Sequence, residues 1–250
     1  QAILELARTR GRVDVRDLAE QLAVTPETIR RDLTSLERRG LVRRAHGGAV
    51  PIERASLRPP VLERENLHSA EKDAIAFAAL SEIPESGSIL IDAGTTTLRL
   101  AELLPDRPLT VVTHSLPVAT ALAGKEEIQL HLLGGQLHGG SLSTVGTWTH
   151  QMIGMIAVDV AFMSVDGITP ERGITTADLA EAAVKAAIIR ASRRTVVLAD
   201  HGKFGREEFS RISPLAAVET IITDEGVNPE LAAEVEAAGT DVVRAPLLTT

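Results

Sequence analysis

The stretch Ile89-Leu90-Ile91-Asp92-Ala93-Gly94-Thr95-Thr96-Thr97 sets a run of unbroken apolar residues against a glycine and three hydroxyls, and apolar residues return at Leu98 with helical spacing. A continuous apolar run of this length reads as a strand buried on both faces. Gly94 would let the chain turn tightly and a ligand approach the backbone. The amides and hydroxyls of Thr95, Thr96 and Thr97 would then open a helix, and a helix N-terminus is a ready anion site. An ordinary strand-to-helix turn capped by a threonine hydroxyl would leave the same trace.

The same alternation spreads outward from this stretch. Periodicity predicts helices over 70–82, 98–104, 116–123, 179–191 and 229–238. It predicts strands over 89–91, 109–112, 128–133, 158–163, 195–199, 220–223 and 242–243. Apolar strands alternating with helices predict a mostly parallel α/β sheet with helices on both faces. Ligands of such sheets bind beyond the carboxyl ends of the strands. The residues that follow the strands there are Asp92, Thr113-His114-Ser115, Gly134-Gly135, Asp166-Gly167, and Asp200 with Lys203. Each alone is weak: Gly-Gly pairs are mostly turns, aspartates cap helices, and a single lysine is usually solvated. Their convergence on one edge of the sheet is the stronger signal.

The first sixty residues read differently. Ile3, Leu4, Leu6 and Ala7 mark a helix over 2–9, and Asp14 caps a second helix reaching Leu22. After a break at Ala23-Val24 comes Thr25-Pro26-Glu27: a capping hydroxyl, a proline at the first helical position and an acid at the positive helix end. This third helix runs to about Arg39 and stops at Gly40. Ile29, Leu33 and Leu36 form its apolar stripe. Thr25, Glu27, Thr28, Arg30, Arg31, Thr34 and Arg38 lie off that stripe. Residues 41–50, with Arg43, Arg44 and His46 before a Gly-Gly turn, predict a hairpin. Helix, helix, turn, helix and basic hairpin make a winged helix-turn-helix, whose third helix would enter the major groove. A three-helix packing unit with a solvated basic face has the same periodicity.

Charge separates the two parts. The formal net charge is −8 over 250 residues. Residues 1–58 hold 12 Arg against 8 acids, a net of +4, and the remainder carries −12. Phosphate attraction supplies most non-specific DNA affinity, so the basic segment is the one that counts. Residues 1–52 are expected to form the DNA-binding domain, 53–69, with Pro59 and Pro60, a linker, and 70–250 the sensing domain. With no cysteine, disulfides and thiolate chemistry are excluded. Aromatic residues make up 2%, too few for stacking on single strands. The richest apolar stretch, 152–165, carries Asp159 and falls short of the ~18 residues a membrane helix needs. Charged residues among the first ten argue against a signal peptide, and a cytoplasmic location without membrane contact is the expectation.

Residues 13–50, above all Thr28-Ile29-Arg30-Arg31-Asp32-Leu33 and His46-Gly47-Gly48-Ala49, resemble the N-terminal module of the DeoR family of bacterial sugar-responsive repressors. The resemblance continues over 60–246 in DAGTTT (92–97), LGGQL (133–137), DGIT (166–169), RGITT (172–176) and ADHGKFG (199–205). It implies a sensor domain similar in fold to ribose-5-phosphate isomerase and glucosamine-6-phosphate deaminase, taking a phosphorylated sugar. Carried over, Gly94, Thr95, Thr96 and Thr97 would hold the phosphate. Asp92, Thr113, Gly134, Gly135, Asp166, Gly167 and Lys203 would surround the sugar. Most relatives carry Asn where this chain has His114. The wording of 84–117 and 195–205 is most similar to regulators of fructose or glycerol utilisation in high-GC bacteria, which implies fructose 1-phosphate.

The competing reading is a phosphosugar isomerase or deaminase with an accessory DNA-binding domain. Isomerisation needs a base beside the carbonyl-adjacent carbon. The similar isomerases place an acid soon after Asp-Gly, whereas here no acid follows until Glu171. No histidine pairs with a carboxylate as in the deaminases, and no nucleotide or hydrolase motif occurs. His114, His131, His138 and His150 lack metal-ligand spacing and read as surface or loop residues. The expectation is therefore a repressor without catalytic residue, metal or cofactor, with operator DNA and a sugar phosphate as partners, as a homodimer or homotetramer.

Overall fold

Capping chemistry places the first helices where the sequence puts them. In this computed structural model, which describes residues 3, 6, 13–22, 24–38, 42–45, 48–51 and 67–248, Asp14 Oδ1 accepts the Arg16 amide at 2.8 Å. Helix α1 (Val15–Gln21) follows, and β1 (Val13–Asp14) precedes it. Thr25 Oγ1 accepts the Thr28 amide at 3.3 Å and opens α2 (Pro26–Arg38). Ile29 and Leu33 are fully buried and pack with Leu18, Val13, Val15 and Ala49. Strands β2 (Val42–Ala45) and β3 (Gly48–Pro51) pair antiparallel as the hairpin. β1 adds a third strand that the periodicity does not reveal, through Val13↔Ala49 and Asp14↔Gly48. A Cβ on Gly48 would lie 1.9 Å from the Val13 carbonyl oxygen, so glycine is what lets β1 close on the hairpin.

By its contacts the chain divides into residues 1–57 and 58–250. The second unit opens with α3 (Ser69–Ala79) and β4 (Gly87–Ile91). It continues through α4 (Thr95–Leu103), β5 (Leu109–Thr113), α5 (Leu116–Leu122) and β6 (Ile128–Leu132). Next come the pair β7 (Gln136–His138) and β8 (Ser143–Val145), α6 (Thr147–Ile153) and β9 (Val158–Ser164). Then follow β10 (Gly167–Thr169), β11 (Gly173–Thr176), α7 (Leu179–Ala191) and β12 (Ser192–Leu198). The unit ends with β13 (Ser210–Ser213), β14 (Thr220–Asp224), α8 (Pro229–Ala237) and β15 (Asp241–Ala245).

Seven strands form one sheet in the order β15-β14-β12-β9-β4-β5-β6, and every neighbouring pair is parallel. Alternate strand residues serve two cores. Ile89, Ile91, Phe162 and Leu198 pack with Ala74, Ile75, Leu100 and Val118 from α3, α4 and α5. Leu90, Ala161, Met163 and Val197 pack with Ile153, Val184, Ile188 and Val235 from α6, α7 and α8. That two-sided burial explains the unbroken apolar strands. The sheet β10-β11-β13 and the pair β7-β8 lie outside the expected pattern. Their strands have three or four residues, too short for a period to register. No helix of the described residues is long and apolar enough to cross a membrane.

Candidate functional site

Beyond the carboxyl ends of β4, β9 and β12 the chain closes a small cavity of ≈ 40 Å³. Its polar lining is Thr95 and Thr96 from the start of α4, Lys72 from α3, Ser164 and Asp166 after β9, and Asp200 and Lys203 after β12. Leu67, Val165, Leu198 and Ala199 complete it. The first amides of a helix have no intrahelical partner, so the N-terminus of α4 presents donors here beside two ammonium groups. Lys72 is 4% exposed and donates to the Leu67 carbonyl. Asp166 accepts from Thr176 Oγ1 at 2.7 Å. Asp200 accepts the Gly202 amide at 3.1 Å and caps the short turn that carries Lys203.

Four of the residues singled out in the sequence therefore meet: Thr95, Thr96, Asp166 and Lys203. The others do not line the cavity. Asp92 lies fully buried behind it, accepting from His114 Nε2 at 2.8 Å, from the Ser164 amide at 3.1 Å and from Lys185 Nζ. Burial alone would push its carboxyl up, but the Lys185 charge and the His114 hydrogen bond outweigh it and hold Asp92 well below the usual carboxylate range. His114 is no surface residue: it is 2% exposed, and its Nδ1 faces the Thr144 carbonyl at 2.9 Å. Both ring nitrogens thus face oxygen atoms of the buried site.

The glycine and hydroxyls of the opening motif divide in role. A Cβ on Gly94 would come within 2.1 Å of Ser164 Oγ, so the missing side chain makes room for Ser164 and not for a ligand. Thr97 turns inward and donates to the Asp92 carbonyl at 2.7 Å. Thr113 Oγ1 donates to the Ile91 carbonyl at 2.7 Å and accepts the Ser115 amide at 3.1 Å. Gly134 and Gly135 pack on α6: the Gly134 carbonyl accepts from Thr149 Oγ1, which would lie 2.0 Å from a Cβ on Gly135. Gly167 sits under the Arg206 carbonyl, 2.3 Å from where a Cβ would be. Lys72, Ser164 and Lys185 escape sequence reasoning as site residues, whereas Asp200, read only as one of the residues that follow the strands, does line the cavity. Lys72 and Lys185 left a faint trace: Lys72 is the lone cation of α3, between Glu71 and Asp73, and Lys185 interrupts an alanine, valine and isoleucine run on α7.

In the N-terminal unit α2 presents Thr25, Glu27, Arg30 and Arg31 exposed, with Thr28 and Thr34 half-buried beside them. Arg30 pairs with Glu27 at 2.6 Å, and Thr34 Oγ1 donates to the Arg30 carbonyl. The backbones of Arg38, Arg43 and Arg44 lie in α2 and β2, with their side chains outside the described set. His46 lies outside the described residues, as does most of the expected helix over 2–9.

A winged helix-turn-helix ahead of an α/β unit with a polar cavity, lined by two lysines, two aspartates and three hydroxyls, is the build of a transcriptional regulator that answers to a small ligand. The family follows from comparison: residues 1–55 match the DeoR-like helix-turn-helix domain and residues 67–225 the DeoR C terminal sensor domain, and the chain belongs to the DeoR family of transcriptional regulators. It is 36% identical over 247 residues to an uncharacterised HTH-type transcriptional regulator of Bacillus subtilis (strain 168), covering 99% of this chain and 96% of that one. It is 34% identical over 223 residues to the glycerol-3-phosphate regulon repressor of Escherichia coli (strain K12), covering 89% and 88%. Both relatives are named regulators, which favours DNA binding over the isomerase-or-deaminase alternative. A ribose 5-phosphate isomerase of Methanocaldococcus jannaschii matches 54% of each chain at TM-score 0.40 and 17% identity, too slight a likeness to carry an argument.

Proposed function

We propose that this regulator is a repressor of genes for the use of a phosphorylated sugar or polyol, and that the phosphate binds at the N-terminus of α4 between Lys72 and Lys203. The observation that carries the reading is that cavity: helix amides, two threonine hydroxyls and two ammonium groups converge where the sheet ends. A repressor in the cytoplasm reads its operator through Thr28, Arg30 and Arg31, with Thr25, Glu27, Thr34, Arg38, Arg43, Arg44 and His46 on the same face or on the wing. Asp166 orients the sugar hydroxyls. Asp92, Gly94, Thr97, Thr113, Gly134, Gly135 and Gly167 shape the pocket from behind.

At ≈ 40 Å³ the cavity is smaller than a sugar phosphate, whose entry would move part of its wall aside. Leu67 is the natural part to move. Its carbonyl is the acceptor of Lys72 Nζ, and a dianionic phosphate would compete for that ammonium. Leu67 also ends the segment that leads from the DNA-binding unit, which gives the effector a route to the operator. A symmetric dimer or tetramer is required, since one winged module makes too few base contacts for ~4–10 kcal/mol of specificity. Fructose 1-phosphate is our specific effector proposal, with glycerol 3-phosphate the nearest competitor.

The test is fluorescence anisotropy of a fragment from the gene's own promoter, titrated with protein and then with sugar phosphates and their unphosphorylated parents. Fructose 1-phosphate should change the affinity and fructose should not. Thr96→Val should abolish the response while leaving effector-free DNA binding unchanged. A full response in the variant would place the phosphate elsewhere, and a response to the bare sugar would remove the anion site altogether.

A further inference from the structure

Next to the cavity three potential metal ligands converge from two distant parts of the chain. His68 and Glu71 stand at the start of α3, and His201 stands in the turn after β12. One donor atom from each lies within 4.8 Å of the others, and all three residues are half-buried. Bonds of about 2.0–2.1 Å to a tetrahedral ion put donors roughly 3.4 Å apart, a gap these side chains close by small rotations. The rings of His68 and His201 meet edge to face at 4.9 Å.

His201 is held as a ligand is held. Its Nδ1 donates to Asp224 Oδ2 at 2.7 Å, and its own amide donates to Asp224 Oδ1 at 2.8 Å. Asp224 is buried and further anchored by the Gly226 amide at 3.0 Å. A carboxylate on one ring nitrogen fixes the tautomer and leaves Nε2 with its lone pair, the arrangement found behind metal-bound histidines. His68 is odd as a helix start. It takes the left-handed conformation, φ 53° and ψ 46°, and its side chain makes no capping bond, so capping does not account for a histidine there.

We propose that His68, Glu71 and His201 bind a divalent transition metal of the zinc class, with Asp224 as the orienting carboxylate. Two imidazoles and one carboxylate suit Zn²⁺ and leave its fourth position open to water or to an oxygen ligand. The sequence neighbours of these ligands, Leu67, Lys72, Asp200 and Lys203, all line the cavity. The ion would therefore clamp two of its walls together. The proposal does not depend on which effector binds.

The experiment is a Zn²⁺ titration of the chelator-stripped full chain against a chromophoric chelator, repeated with Co²⁺ for its d–d absorption. One tightly bound Zn²⁺ per chain is expected, with a Co²⁺ spectrum of low coordination number. His68→Gln and His201→Gln should each weaken binding at least about 10-fold, and Asp224→Asn about 10–100-fold. His131→Gln and His150→Gln should leave it unchanged. Circular dichroism melts without metal check that the variants fold. Because His68 is half-buried and caps nothing, its variant stays informative even if Asp224→Asn unfolds. Absence of stoichiometric Zn²⁺, or equal affinity in the His68→Gln/His201→Gln double variant, would overturn the proposal.

Discussion

Asp92 shows how one side chain can carry a site without touching what the site holds. Its carboxylate gathers His114, Lys185 and the Ser164 amide, and so ties β4, β5, β9 and α7 together under the cavity. Because that carboxyl is held well below its ordinary range, the folded protein keeps the charge where the unfolded chain would take up a proton. The stability it contributes is complete above about pH 4 and is lost as pH falls from there toward the folded-state value. Asp92→Asn should therefore cost about 3–5 kcal/mol in urea unfolding near neutral pH, since it strands Lys185. The gap to wild type should narrow in the same measurement near pH 3; a gap independent of pH would refute the assignment. The motif around Asp92 was legible in the sequence, but its direction was not. Whether an aspartate after a strand faces a ligand or the core depends on Lys185, 93 residues away in the chain, and no local pattern reports that partner.

At the level of elements, the start of α4 rests on the fit between Gly94 and β9. Gly94→Ala should lose roughly 1–3 kcal/mol through overpacking against Ser164, and Ser164→Gly in the same chain should restore most of it. Denaturant midpoints of the two single variants and the double variant decide this, additive losses being the adverse result. In α2 the apolar stripe was readable because burial follows helical spacing, and Ile29 and Leu33 are indeed fully buried. The exposed face tests differently. If Arg31 reads a base edge, Arg31→Ala should weaken operator binding by about 1–3 kcal/mol and relax specificity at one position. A loss equal on all sequences would assign it to phosphate instead. The small strands were illegible for a different reason: β7 with β8 and β10 with β11 are local pairs of three or four residues, too short for a period to show, and β13 joins β11 only through a distant partner, as in Thr175↔Arg211.

For the whole molecule the charge division matters most. A segment of net +4 joined to a remainder of −12 can hold DNA only through its basic part, and the acidic part repels the same phosphates. Operator affinity of the assembled regulator should fall roughly 10³-fold between about 50 and 200 mM salt if a dimer makes some six phosphate contacts. A flat salt profile in the anisotropy assay would contradict an electrostatic footprint. The alternation of strands and helices made this architecture readable from the sequence, because a sheet buried on both faces leaves continuous apolar runs. The cavity was readable only in outline, since Lys72 reaches it from a helix that precedes the first strand of the sheet.

The all-parallel sheet also sets an order of assembly. β2 and β3 are joined by two residues, so the winged unit can form as soon as its fifty-odd residues exist. The centre of the sheet joins β4 to β9, where Ser88 meets Asp159, 71 positions further along the chain. At roughly 5–20 residues per second, translation from residue 51 to residue 158 lasts about 5–20 seconds. During that interval a nascent chain carries the residues of its helix-turn-helix and no closed sensor, so a chain broken off early in synthesis would be left with a single DNA-reading module and no means of answering a ligand.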